Sequence, residues 1–175
     1  MKYLIALIFC SLIVPLSLYA VDYSMPNTIG NSAENISLGV EGLGLGSHQI
    51  FENPASLSNA KSFSMAAFGT QLMNDFRYAN AALSHKFGNN RIAIGHYEFR
   101  VPDIATNDDV LNTTFGENEI TQIGRTSYRN TMTKIAIQRD MSDKVSIGIS
   151  GTYYRTSLFD VTGDGFNVDS GLFVR

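Results

Sequence analysis

The stretch Lys144–Arg155, KVSIGISGTYYR, decides the fold, because its residues sort cleanly onto two faces. Val145, Ile147, Ile149 and Tyr153 share one face; Ser146, Gly148, Ser150 and Thr152 share the other. A period of two is the signature of a β-strand. The polar face, however, holds Ser, Thr and Gly where a water-facing sheet carries more Lys and Glu.

Five further stretches read as strands: Lys61–Gly69, Tyr78–Phe87, Arg91–Arg100, Tyr128–Arg139 and Gly165–Val174. In the last, Phe166, Val168, Leu172 and Val174 oppose Asn167, Asp169 and Gly171. In the second, Ala79, Ala81, Leu83 and Phe87 oppose Asn80, Ser84 and Lys86, with His85 breaking the apolar side. The third sets Ala93, Gly95, Tyr97 and Phe99 against a face that begins Ile92, Ile94 and ends His96, Glu98; the first and fourth alternate only in part. The six stretches run 9 to 12 residues, longer than the about 5–6 of soluble sheets and close to a tilted strand that crosses a bilayer.

The connections alternate between long and short. Eight residues (Thr70–Arg77) are followed by Gly88–Asn90, then 27 residues (Val101–Ser127), then Asp140–Asp143, then Thr156–Asp164. This is the pattern of an up-and-down membrane barrel, with tight turns at one end and longer loops at the other. It predicts an all-β, antiparallel, up-and-down transmembrane β-barrel, with the short turns facing the periplasm and Val101–Ser127 facing outward. Six strands fall short of the about eight that close the smallest single-chain barrels, so further strands after Arg175, or pairing with a second copy, are expected.

The chain opens with Lys2, an apolar run from Tyr3 to Val14, Pro15 and a small residue at Ala20, the layout of a secretory signal peptide cut after Ala20. Cys10, the single cysteine, lies in that run behind the bulky Phe9, which argues against lipid modification. Residues 21–175 keep no cysteine and carry 12 basic against 16 acidic groups. No disulfide is available to them, and the absence of a basic stripe argues against nucleic acid as a partner. The expected organisation is a signal peptide at 1–20, a Gly-rich plug-like or periplasmic segment at 21–60 and a partial barrel at 61–175.

Ser37–Gly69, SLGVEGLGLGSHQIFENPASLSNAKSFSMAAFG, resembles the N-terminal signature of PorV/PorQ-like outer-membrane proteins, relatives of the FadL fatty-acid transporters. In that group a Gly-rich segment leads to Asn-Pro-Ala-Gly-Leu and the first barrel strand. Asn53, Pro54, Ala55 and Leu57 match, and Ser56 stands where glycine is usual. Tyr128–Val174 is similar to the family's repeated hairpin, with Gly165, Phe166, Asp169 and Gly171 carrying a G-F-x-x-D-x-G match. The resemblance implies a protein of the cell outer membrane, in contact with membrane lipid. It also implies either passage of hydrophobic small molecules through a plugged barrel or a scaffold role alongside export-machinery proteins. The other class that the residues allow is a secreted or periplasmic β-sheet binding protein whose loops engage a partner.

Asn53–Leu57 is expected to end the plug segment and launch the first strand, with Gly39, Gly42, Gly44 and Gly46 allowing close packing before it. Other constellations favour plain structure. Gly42-x-Gly44-x-Gly46 has no preceding strand or following capped helix, so it is no dinucleotide loop. Asp160–Gly171 lacks an acid at its third position and a terminal Glu, so a hairpin turn is preferred to a calcium loop. Asp103, Asp108, Asp109, Glu117 and Glu119 read as a solvated acidic loop. His48, His85 and His96 are too scattered for a metal set, and no strained nucleophile turn is present. No enzyme and no cofactor is expected.

Overall fold

The computed structural model describes residues 31–38, 45–72, 76–112 and 117–175. The expected signal peptide with Cys10, and Gly39, Gly42 and Gly44, lie outside the described residues. Six strands form one antiparallel sheet in sequence order: β1 (Phe63–Leu72), β2 (Phe76–Phe87), β3 (Asn90–Asn112), β4 (Glu117–Asp140), β5 (Val145–Leu158) and β6 (Val161–Val174). Each strand pairs with the next through a hairpin. The local connections that favour antiparallel neighbours therefore account for the whole order.

The stretches between the expected strands depart from the sequence reading. Val101–Ser127 is not a 27-residue loop: β3 and β4 continue as a paired ribbon out to Asn112 and Glu117. Likewise Thr156–Asp164 is mostly strand, with Leu158 paired to Val161. The ribbon is broken by two register shifts, one between Val101 and Ile104 that steps over Pro102 and Asp103. Asp103 takes a positive φ of 55° there. Proline within a sheet is tolerated at such a bulge, where its missing donor costs nothing. The sequence of this outer ribbon carries no regular alternation of apolar and polar residues, so it gave no sign of a strand. The short turns at 88–89 and 141–144 stand as expected, and Asp160–Gly171 is turn and strand.

Residues 45–60 cross one face of the sheet as a strap of two short 3₁₀ turns, Ser47–Phe51 and Pro54–Asn59. A helix, α1 (Ala33–Leu38), precedes them. Gly46 has φ 136°, a conformation that glycine alone adopts freely, and it turns the chain into the first 3₁₀ turn. The core lies between strap and sheet: Ile50, Phe51 and Leu57 pack against Tyr78, Ala82, Ala93, Tyr97, Phe99, Met132 and Ala136. Fully burying an apolar side chain of this size is worth about 1.5–3 kcal/mol, so the strap belongs to the folding unit.

Candidate functional site: a strapped face and an open face

The strap divides the sheet into a covered face and an open face. Asn80, Ser84, Arg91, Asn130, Lys134, Gln138, Ser146, Ser150 and Thr152 are all buried on the covered side. The open side exposes Ile92, Ile94, Ile135, Ile137, Ile147 and Ile149, each 43–55% accessible. Strand register aligns these residues into rows. Met65, Leu83, Ile94, Ile135, Gly151 and Val168 form one chain of cross-strand partners spanning all six strands. Phe63, His85, Ile92, Ile137, Ile149 and Ser170 form the next. The structure bears out the alternation read in β5, with Ile147 and Ile149 outward and Ser146 and Ser150 under cover.

The two sequence motifs meet on the covered face. Asn53 caps the second 3₁₀ turn, its amide oxygen accepting from the Ala55 N–H at 2.9 Å. Its amide nitrogen donates to the Leu172 carbonyl at 3.2 Å, fastening the turn to β6. Pro54 occupies the first position of that turn, where its missing N–H leaves no intrahelical bond unmade. Ala55 and Leu57 are fully buried, and the Ser146 hydroxyl donates to the Ala55 carbonyl at 3.3 Å. Ser56, the departure from the family pattern, is buried with its hydroxyl 2.6 Å from the Asn53 carbonyl and 3.0 Å from the Gln49 amide oxygen. That hydroxyl ties the two turns together, which glycine would not do.

Close approach is provided by strand glycines. A Cβ on Gly148 would stand 2.5 Å from the backbone of Pro54 and Ala55. On Gly95 it would stand 2.8 Å from the Phe51 ring, and on Gly171 it would overlap the Asn53 amide oxygen. Glycine inside a strand often marks a close approach of this kind, by another backbone at Gly148 and by strap side chains at Gly95 and Gly171. Gly95 and Gly148 were visible in the sequence as small residues within alternating strands, but nothing there said what they admit.

Asp169 lies beside this interlock and pairs with Lys134 at 2.8 Å, the lysine side chain being 5% exposed. Gly165 does not join the group; it pairs with Tyr154, six residues along β6 from Gly171. Lys134, Asp169, Asn167 and Tyr154 line a cleft of about 520 Å³ next to Asn53 and Pro54. At the other end of the strap, Arg91 donates to the Ala60 carbonyl at 2.6 Å and also to that of Lys61, holding the exit into β1. Sequence reasoning missed Lys134 and Arg91 as anchors, since a single cation in a strand carries no sign of its partner. His48, His85 and His96 are not brought together: His48 is buried in the strap, whereas His96 on the open face bonds Thr133 at 2.9 Å. No family model, curated protein or solved structure matches the chain.

Proposed function

We propose that this sheet is wall of an outer-membrane β-barrel of the FadL/PorV kind, with residues 45–60 as a plug on its lumen side. The observation that carries this reading is the reversed polarity of the sheet: polar side chains buried under the strap, isoleucine rows exposed on the far side. In water, a contiguous apolar face of this size is unfavourable; in lipid it is required. On the open face of β6 the exposed apolar residues run from Phe166 to Val174. That is about 26 Å of strand, or about 20 Å of height at a tilt of about 40°, near the about 25 Å of a barrel's outward band. Closure needs partners for the outer edges of β1 and β6, because lipid satisfies no backbone donor or acceptor.

Passage of hydrophobic small molecules past the plug is one role for such a barrel, and a scaffold for protein export is the other. The interlock of Asn53–Ala55 with Gly148 and Gly171 favours the scaffold, since a plug seated backbone against backbone at Gly148 and by the Asn53 side chain at Gly171 is fixed in place. Migration of the full-length protein on detergent gels, with and without boiling, tests the barrel. A folded barrel shifts on boiling and fractionates with outer membranes. A soluble, monomeric chain with no shift overturns the reading and favours a periplasmic sheet protein whose open face docks a partner.

A further inference from the structure

Beyond the apolar rows, toward the long-hairpin end, the open face changes character. Arg77 stands directly opposite Arg100, and Arg100 directly opposite Arg129, so three arginines occupy one row across β2, β3 and β4. Like charges directly opposite one another on a sheet repel. Glu98 neutralises Arg129 at 2.7 Å. Among the described residues neither Arg77 nor Arg100 has an ion-pair partner. Both line a cleft of about 580 Å³ with Arg125, in which Asp103, 3.8 Å from Arg125, is the single acid among the described lining residues. Among the described residues, three guanidiniums against one carboxylate leave the cleft lining net positive. The guanidinium fork matches phosphate oxygens in pairs.

The position of the cleft identifies its ligand. On β2, Arg77 comes just before Ala79, Ala81 and Leu83; on β3, Arg100 follows Ile92 and Ile94 by way of His96 and Glu98. The arginines therefore stand at the border where the apolar rows end, and long arginine side chains reach toward a headgroup layer from such a place. Resting on the membrane reading given above, we propose that Arg77, Arg100 and Arg125 bind the phosphate groups of an anionic lipid headgroup in the leaflet at the long-hairpin end.

The test is native mass spectrometry of the full-length protein in neutral detergent, titrated with lipid A or with dephosphorylated lipid A. The wild type should retain the phosphorylated lipid and bind the other far more weakly. Arg77→Gln/Arg100→Gln/Arg125→Gln should weaken retention by about tenfold or more, given the attraction of each basic group near a charged lipid surface. Lys61→Gln/Arg139→Gln/Lys144→Gln removes the same charge at the short-turn end and should stay within about twofold of wild type. Should the arginine triple variant fail to fold, Arg100→Gln alone should still weaken retention by about threefold. Equal binding of both lipids, wild-type retention by the arginine variants, or binding of inorganic phosphate without lipid would each overturn the proposal. Heat-modifiable migration of the same samples tests the membrane reading separately, so an intact barrel indifferent to phosphate defeats only this inference.

Discussion

The covered and open faces are built from the same six strands, yet they obey opposite rules. Under the strap the sheet buries Lys134, Arg91, Asn130 and Gln138 beside the aromatic and small apolar residues of the core, and opposite them it exposes isoleucine. A soluble sheet buries its aliphatic side chains and solvates its amides. The difference lies in what each face meets. Two of the polar groups under the strap are held by its backbone, Arg91 by the carbonyls of Ala60 and Lys61 and Ser146 by that of Ala55. Lys134 and Gln138 pair instead with Asp169 and Asp140. Below the His96–Thr133 pair the two rows of the open face carry only His85 and Ser170 as polar side chains, and that is a property of a surface suited to hydrocarbon. One face is specified by hydrogen bonds and close fit, the other by its scarcity of polar groups. Substitutions should separate the two.

The largest effect is expected from a charge on the open face. Ile149 lies within the isoleucine rows and is 53% exposed. A charge at a bilayer midplane costs about 2–4 kcal/mol, so Ile149→Arg should strongly impair assembly into outer membranes. The contrasting position is Asn167, exposed on the covered face in the cleft beside Asp169. Ser150 is less suitable, being 2% exposed and 3.4 Å from the Asp169 carboxylate. Asn167→Arg should assemble near normally, as judged by the heat-modifiable band in membrane fractions. Equal tolerance of the two arginines would return the open face to water.

Next in size is the fit of strap to sheet. The Gly148 Cβ would meet backbone atoms of Pro54 and Ala55, and backbone cannot swing aside as a side-chain tip does. Overpacking of this kind costs about 1–3 kcal/mol. Gly148→Ala should therefore lower the denaturant midpoint of the detergent-solubilised protein and open residues 53–59 to proteolysis. Gly163→Ala provides the reference, since a Cβ there meets nothing within 4 Å; it should stay within about 0.5 kcal/mol of wild type. A silent Gly148→Ala would mean that the strap does not seat on β5.

These contrasts also mark what the sequence could disclose. The alternation in β2, β5 and β6 was legible because one face of each is mostly apolar, His85 and Ser170 aside, so the period of two survives. The outer half of the β3–β4 ribbon was not, because Pro102 and the Asp- and Asn-rich run after it carry turn-forming residues and no apolar alternation. Asn53-Pro54 showed itself as a boundary through proline's fixed φ and lost donor. Its contact with Gly171, more than a hundred residues away, left no local trace. Glycine records that something comes close, never what comes close. The same holds for Lys134 and Asp169, whose pairing follows from register across β4, β5 and β6 rather than from any spacing.

The smallest effect should come from the cap. Asn53 uses both ends of its amide, accepting from Ala55 within the turn and donating to Leu172 across the face. Removing a cap side chain costs typically about 1 kcal/mol, and a net hydrogen bond about as much. Asn53→Ala should cost about 1–2 kcal/mol, because Pro54, Ala55 and Leu57 still pack while the Leu172 carbonyl and the Ala55 N–H lose their partner. Asn53→Asp divides the two functions: a carboxylate still accepts from Ala55 but has no hydrogen to give Leu172. It should keep the turn yet loosen its hold on β6. Amide hydrogen exchange reads both, with faster exchange at Ala55 expected in Asn53→Ala and not in Asn53→Asp, and local loosening around Leu172 in each. Faster exchange at Ala55 in both variants would show that the turn depends on its anchorage to β6, and that the cap alone does not sustain it.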